Sequence, residues 1–220
     1  MRFHTILLAA IVGLNAGSTV VHAETKEQVF WRWFEQHEDA LFTFEKNQEK
    51  VFDDLNQAMN QVHRDLTFEF GPVEGGRRQF VISAGGIKAA FPAVHALHAA
   101  APKLKRWTFI AFRPRRTPIN DLDYAGKHVR ARDVHYLLFA DEDPKKVGIM
   151  LFLDGYTAAD RKAVWGQIGF LLLDEALGEY AMETDVGAIV FQSRASKHFT
   201  KALPLAELPK DFDETLARRK

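Results

Sequence analysis

Two stretches of this chain share one order of predicted elements, and that order limits the fold more than any other sequence feature. In residues 66–114, apolar side chains first alternate with polar ones, which predicts a half-buried strand. A second apolar strand at residues 80–82, a helix starting near Pro92 and a third strand at residues 107–112 follow. This region is therefore predicted to fold as β-β-α-β.

The second half of the chain repeats the same order. Strands are predicted at residues 134–139, 147–153 and 186–191, and a helix before the last of them ends at Gly178. A short sequence match supports the repeat, since Arg64-Asp65-Leu66-Thr67-Phe68 has its counterpart in Arg132-Asp133-Val134-His135-Tyr136. Alternating His128, Arg130 and Arg132 would put three basic side chains in a row if this segment is a strand.

The region before the first repeat is predicted to be helical. Apolar residues at helical spacing indicate one amphipathic helix over residues 25–34 and a long one over residues 39–63, with Asp39 able to cap the second. In the second half, Thr157 and Asp160 resemble a capping box that opens the late helix. Phe212 and Leu216 predict a short C-terminal helix that packs on the body.

These elements predict an α+β protein. A helical segment (24–65), a first half (66–116), a second half (128–192) and a tail (193–220) would form one domain after a signal peptide (1–23). The two β-β-α-β halves would build one mainly antiparallel, ferredoxin-like sheet, with right-handed crossovers. A cystatin-like or NTF2-like curved sheet around the long helix is the alternative.

The first residues favour export. Arg2 precedes a short apolar run at residues 6–14, and Val21-His22-Ala23 fits a signal-peptidase site. The run is too short for a membrane-spanning helix, although an uncleaved N-terminal anchor remains an alternative. The chain has no cysteine, which excludes disulfides, thiolate metal sites and cysteine nucleophiles. A periplasmic or secreted protein without a transmembrane segment after cleavage is expected.

Charge is balanced overall but uneven along the chain. The formal net charge is zero, so no nucleic-acid partner is expected. Residues 103–132 nevertheless carry nine Lys and Arg against two Asp. Guanidinium groups bind carboxylates and phosphates, so this region predicts a site for an anionic small molecule or an acidic protein surface. The candidate ligand-binding residues are Arg113, Arg115, Arg116, His128, Arg130 and Arg132.

Evidence for an enzyme is weaker. No G-x-S-x-G or H-E-x-x-H motif occurs, and no metal ligand, cofactor or catalytic residue is assigned. The adjacent acids Asp174 and Glu175 are interpreted as exposed helix residues. An alternative cleft would use Glu69, on the polar face of the first strand, with a nearby histidine such as His63 in a hydrolase-like or isomerase-like reaction.

The turn Ser83-Ala84-Gly85-Gly86 joins a strand to a helix. Its backbone amides are able to cradle an anion, although the spacing matches no phosphate-binding loop. A tight turn of the chain is the simpler interpretation.

Several motifs together resemble a family of uncharacterised bacterial proteins. They are Trp31-x-Trp33-Phe34, Leu66-Thr67-Phe68-Glu69-Phe70-Gly71, Val81-Ile82-Ser83-Ala84-Gly85-Gly86, Ala101-Pro102 with Trp107, Phe112-Arg113-Pro114, and Leu173-Asp174 with Leu177-Gly178-Glu179. The resemblance covers most of the chain but implies no activity, cofactor or catalytic residue. Many such proteins look cytosolic, so the signal peptide is a departure from them. A non-enzymatic binding module of the bacterial envelope is therefore the favoured function.

Overall fold

The computed structural model describes residues 23–157 and 164–219. Its helices are α1 (Lys26–Gln36), α2 (Glu38–Phe42), α3 (Gln48–Val62), α4 (Phe91–Ala99), α5 (Val164–Leu177), α6 (Glu179–Thr184) and α7 (Leu208–Ala217). Its strands are β1 (Thr67–Glu74), β2 (Arg77–Ser83), β3 (Trp107–Ala111), β4 (Leu122–Tyr124), β5 (Lys127–Val129), β6 (His135–Ala140), β7 (Val147–Phe152), β8 (Val186–Gln192) and β9 (Leu203–Pro204). The predicted α+β class and the β-β-α-β order of both halves are confirmed.

The first half forms a three-stranded sheet in the order β1-β2-β3. β1 and β2 pair antiparallel, and β3 pairs parallel to β2 because α4 carries the chain back across the sheet. Phe70, Phe80 and Phe109 lie opposite one another in register and share one face. This face packs against buried residues of α1 and α3, such as Phe34 and Leu55, and forms the first hydrophobic core.

The opposite face of this sheet presents different chemistry. By strand alternation it carries Glu69, Val81 and Ile110, which are also neighbours in register. Glu69 faces a cleft that α5 of the second half lines on its other side. This face of the first sheet is thus turned toward the second half at Glu69.

The second half forms a separate four-stranded sheet in the order β8-β7-β6-β9. β6 and β7 pair antiparallel, and β8 returns parallel to β7 after α5 and α6. Tyr136 and Leu151 lie opposite each other and belong to a second hydrophobic core with Ile168 and Phe212. Phe212 confirms that the C-terminal helix packs on the body, as predicted.

The expectation of one continuous sheet is wrong. The two halves form separate sheets, and the β4–β5 hairpin lies between them in the chain. Each sheet buries its apolar face under its own helices, so neither needs the other to complete a core. Neither the ferredoxin-like sheet nor the single curved sheet of the alternative is formed.

The long helix predicted over residues 39–63 is also wrong. Thr43 and Asn47 leave the helical conformation, so a 3-10 turn (Phe44–Lys46) separates α2 from α3. α2 starts at Glu38 after His37, and Asp39 does not cap it. The break lets the ring of Phe44 lie 4.5 Å from the buried guanidinium of Arg78, a contact that a straight helix would not provide.

Two expectations concern residues whose structure is not described. The predicted signal peptide (1–23) lies outside the described residues except for Ala23. The predicted capping box of Thr157 needs Asp160, which also lies outside them. Among the described helices, none is both long and apolar enough to cross a bilayer.

Candidate functional site

The two halves are joined at a buried carboxylate, that of Glu179. Gly178, with φ of 79°, ends α5 in the left-handed region and directs the next residue into the first half. Glu179 is fully buried. Its Oε1 accepts hydrogen bonds from the backbone N–H groups of Ala84 (2.9 Å) and Gly86 (3.0 Å), and its Oε2 accepts one from that of Arg113 (3.1 Å).

The anion cradle considered for the 83–86 turn is therefore occupied by the chain itself. Gly85 and Gly86 adopt φ of 59° and 79°, which turns their amides in the way such a cradle requires. The backbone N–H of Glu179 donates in return to the carbonyl of Arg113 at 3.0 Å. The buried carboxyl group of Glu179 is therefore not left unsatisfied, because three backbone donors reach its two oxygens.

Arg113 extends the same joint. Its Nε donates to Oδ2 of Asp174 at 2.8 Å, its Nη1 donates to Oγ of Ser83 at 3.2 Å, and Oε1 of Glu69 lies 3.7 Å from Nε. Burial raises the pKa of Asp174 above its usual range, although the Arg113 pair acts to lower it. Four of the quoted sequence motifs thus meet at one place.

Arg115 is held by the second half. Its Nε donates to the carbonyl of Leu177 at 3.0 Å, and its two terminal nitrogens donate to the carboxylate of Asp213 at 2.7 Å each. This bidentate pair lowers the pKa of Asp213. Arg113 and Arg115 are consequently neutralised within the chain and attach α5 and α7 to the segment between β3 and β4 (residues 112–121), which is called the linker.

Between the halves lies a cavity of about 330 Å³, named here the inter-half cleft. Its polar lining includes Glu69, Arg113, Arg116, Asn120, Gln167, Asp174 and Glu175, and its apolar lining includes Pro114, Leu122, Leu171 and Leu172. No histidine is among its lining residues within the described chain. His63 follows α3, and its Nδ1 accepts a hydrogen bond from the N–H of Asp65. The structure therefore does not bring His63 and Glu69 into one cleft.

The basic row predicted at residues 128–132 is not a strand. β5 ends at Val129, and Arg132 lies in a 3-10 turn (Ala131–Asp133). His128 pairs with Asp123 across the β4–β5 hairpin at 2.8 Å, and Arg130 pairs with Asp133 at 2.5 Å. Both line a pocket beside Trp165, away from the three arginines that follow β3.

Two members of the predicted cluster do come together. Arg116 and Arg132 line a groove of about 280 Å³, named here the linker groove. The rest of its lining is mostly apolar and consists of Thr117, Pro118, Ile119, Ala131, Ala206 and Pro209. Two cations and no carboxylate line it, so its charge is positive.

These two arginines are also the least committed of the cluster. The Arg116 side chain is 51% exposed, donates a hydrogen bond to Glu69 at 3.2 Å and lies 3.8 Å from Glu175. Arg132 is exposed and has no ion pair or hydrogen bond through its guanidinium within the described ranges. Arg132 can turn toward a bound anion at little cost, whereas Arg116 would give up exposed contacts with Glu69 and Glu175.

The sequence interpretation missed Glu179 and misplaced Asp174. Asp174 follows Leu171 by three residues and therefore lies beside the apolar stripe of α5, a signal that it is partly buried. Glu179 had no comparable signal, because its partners are backbone amides 66 to 95 residues earlier in the chain.

No group of three or more His, Asp or Glu side chains is placed to hold a metal ion in the part of the chain that the structure describes. Comparison with family models, with curated proteins and with solved structures finds no match to this chain.

Proposed function

We propose that this protein is a non-enzymatic binding module of the bacterial envelope that holds a small anionic ligand in the linker groove. One observation carries the proposal: Arg116 and Arg132 both line a mostly apolar groove, and no carboxylate is among the described residues that line it. Guanidinium groups recognise carboxylates and phosphates, and the apolar walls select a ligand with a hydrocarbon part. The N-terminal sequence pattern and the absence of cysteine support export.

The other predicted cations contribute differently in this proposal. Arg113 and Arg115 already have acidic partners, and a ligand would have to displace Asp174 or Asp213 to reach them. Arg130 is likewise paired with Asp133. The groove therefore accepts one anionic group of a ligand near Arg116 and Arg132. An extended acidic protein surface fits less well.

The experiment titrates residues 24–220 with benzoate and octanoate, and with benzyl alcohol and octanol as uncharged counterparts. Binding is followed by two-dimensional NMR. The carboxylates should shift signals of residues 116–119 and 131–132, whereas the alcohols should bind at least about tenfold more weakly, since they lack the charge-assisted hydrogen bonds.

A matched pair of variants localises the site. Arg132→Ala should weaken carboxylate binding about tenfold, because one charge-assisted contact is lost. Arg130→Ala, which removes a nearby arginine from outside the groove, should leave it unchanged. Equal effects of the two variants, or equal binding of acids and alcohols, would contradict the proposal.

A second candidate function rests on the inter-half cleft. Glu69 is more exposed than Asp174, and both carboxylates approach the Nε of Arg113. Burial raises the pKa of Asp174. Two carboxyl groups in unequal environments are what general acid–base catalysis requires. Turnover of a panel of nitrophenyl esters and glycosides that is lost in Glu69→Gln, but kept in the exposed control Glu74→Gln, would favour this enzyme over the binding module.

A further inference from the structure

The outer edge of β6 is only partly covered. β9 pairs with its first two residues, His135 and Tyr136, and the N–H of Leu205 donates to the carbonyl of Val134 at 2.9 Å. In an antiparallel sheet, the N–H and C=O of one residue point to the same side and alternate along the strand. The backbone groups of Leu138 and Ala140 therefore point outward, past the end of β9.

No strand pairs with these two residues on their outer side within the described part of the chain. Each leaves one donor and one acceptor toward solvent, in the geometry that another strand would need. β9 shows that this edge accepts an antiparallel strand, since the chain adds a two-residue strand there itself.

The other edges of the two larger sheets are protected. β1 has a register irregularity between Phe70 and Val73 that contains Pro72. The ring of His98 hydrogen-bonds the carbonyl of Phe109 in β3 at 3.2 Å. The irregular part of β8 is held by Asp141, which accepts from the N–H of Ala188 at 2.6 Å. The open end of β6 therefore differs from the other three edges.

A groove of about 330 Å³ runs along this open end. One wall is the edge of β6 with Leu203, and the other is formed by Asp211 and Thr215 of α7 and by Arg219, which follows that helix. The opening is about three residues long, or roughly 10 Å at the rise of a strand. Such a slot fits a single extended chain, whereas a second copy of β6 would bring its own β9 and α7 to the same place.

We propose that an extended peptide segment of a partner protein binds here by strand addition to β6, antiparallel to it and in line with β9. Its backbone would pair with Leu138 and Ala140, which offers up to four hydrogen bonds. Its alternate side chains would point into the groove beside Leu138 and Thr215, so apolar or small residues at every second position are favoured. This site is separate from the linker groove and does not depend on it.

The test selects random linear octapeptides, displayed on phage, against residues 24–220. The selected peptides are then synthesised, and their affinities for four proteins are measured by fluorescence anisotropy. Ala140→Pro removes an outward N–H without breaking the pairing of β6 with β7. Thr215→Trp fills the groove, and Ala217→Trp adds the same side chain to an exposed position of the same helix as the matched control.

We expect the peptides to bind Ala140→Pro and Thr215→Trp at least about tenfold more weakly than the unmodified chain, and Ala217→Trp with unchanged affinity. In the unmodified chain, saturating peptide should slow the hydrogen exchange of the Leu138 and Ala140 amides. This readout does not depend on any variant folding correctly.

Three results would overturn the proposal. The first is that no peptide is enriched. The second is that Thr215→Trp binds the peptides as well as Ala217→Trp does. The third is that the amides of Leu138 and Ala140 are already protected in a concentration-dependent dimer, which would identify a second copy as the occupant.

Discussion

Replacement of Glu179 tests the joint between the halves most directly. In Glu179→Ala, the N–H groups of Ala84, Gly86 and Arg113 lose their acceptor at once. A buried donor without a partner costs about 1–3 kcal/mol. The Ala84 contact is buried, whereas those of Gly86 and Arg113 are partly buried and open to replacement by water.

The expected loss is therefore about 3–4 kcal/mol of unfolding free energy, because relief from burying a carboxylate and the entry of water offset part of the three lost bonds. Glu179→Gln should cost less, about 2–3 kcal/mol. Its amide oxygen can still accept from Ala84 and Gly86, but its NH₂ group would face the N–H of Arg113. The order Ala worse than Gln is thus a second expectation from the same geometry.

Urea unfolding at pH 7, followed by tryptophan fluorescence, measures both losses. Trp31 and Trp107 lie in the first core and Trp165 in the second, so single-tryptophan backgrounds report on each half. Glu214→Gln is the control, since this exposed carboxylate makes only a 3.9 Å contact with Lys210 and should change stability by less than about 0.5 kcal/mol. A loss below about 1 kcal/mol for Glu179→Ala would refute the reasoning, because the buried N–H of Ala84 alone should cost at least that much without its acceptor.

Three further predictions concern stability, each measured by urea unfolding. Arg113→Met should cost about 2 kcal/mol at pH 7, because Asp174 is left partly buried without its cation. Burial raises the folded-state pKa of Asp174 above the unfolded value, so ionisation of Asp174 opposes folding. The loss of unfolding free energy in Arg113→Met should therefore shrink as the pH falls through that pKa. A loss that is independent of pH would contradict this. Ala125→Gly should stabilise by about 0.5–1 kcal/mol, because Ala125 has a φ of 49° and is exposed, whereas Ala93→Gly in α4 should destabilise. Gly169→Ala should cost about 1–3 kcal/mol because the new Cβ would overlap the ring of Phe191. Helix propensity alone predicts a gain in stability, so the sign of the measured change decides between the two effects.

The elements of both halves were predictable because each carries a strong local period. Alternation around Phe68 and the apolar stripe of α5 around Ile168 follow from burial on one side, which the sequence records directly. The stop at Gly178 was predictable for the same local reason, since a left-handed residue after a helix favours glycine.

The assembly of the halves was not predictable from such patterns. Whether two β-β-α-β units share a sheet depends on which edges meet, and strand periodicity does not encode that choice. The break between α2 and α3 has a similar origin. Arg78, buried at 5% exposure under Phe44, stabilises a turn that the apolar spacing of the segment does not reveal.

The candidate sites divide in the same way. The basic composition of residues 103–132 does not show which of its cations are already paired within the chain. Arg115 is held by Asp213, ninety-eight positions later, whereas Arg132 is exposed. Only the structure separates the arginines that hold the protein together from those that remain free.

The contact between the two halves at Glu179 is also asymmetric. The first half contributes the 83–86 turn and the backbone of Arg113, and the second half contributes Glu179, so the contact is heterologous and does not close on itself by two-fold symmetry. If the linker were extended, Glu179 of one molecule would fit the 83–86 turn of another with the same hydrogen bonds. Exchange of halves between two copies would then preserve the joint, and the conformation of the linker alone decides which molecule each half belongs to.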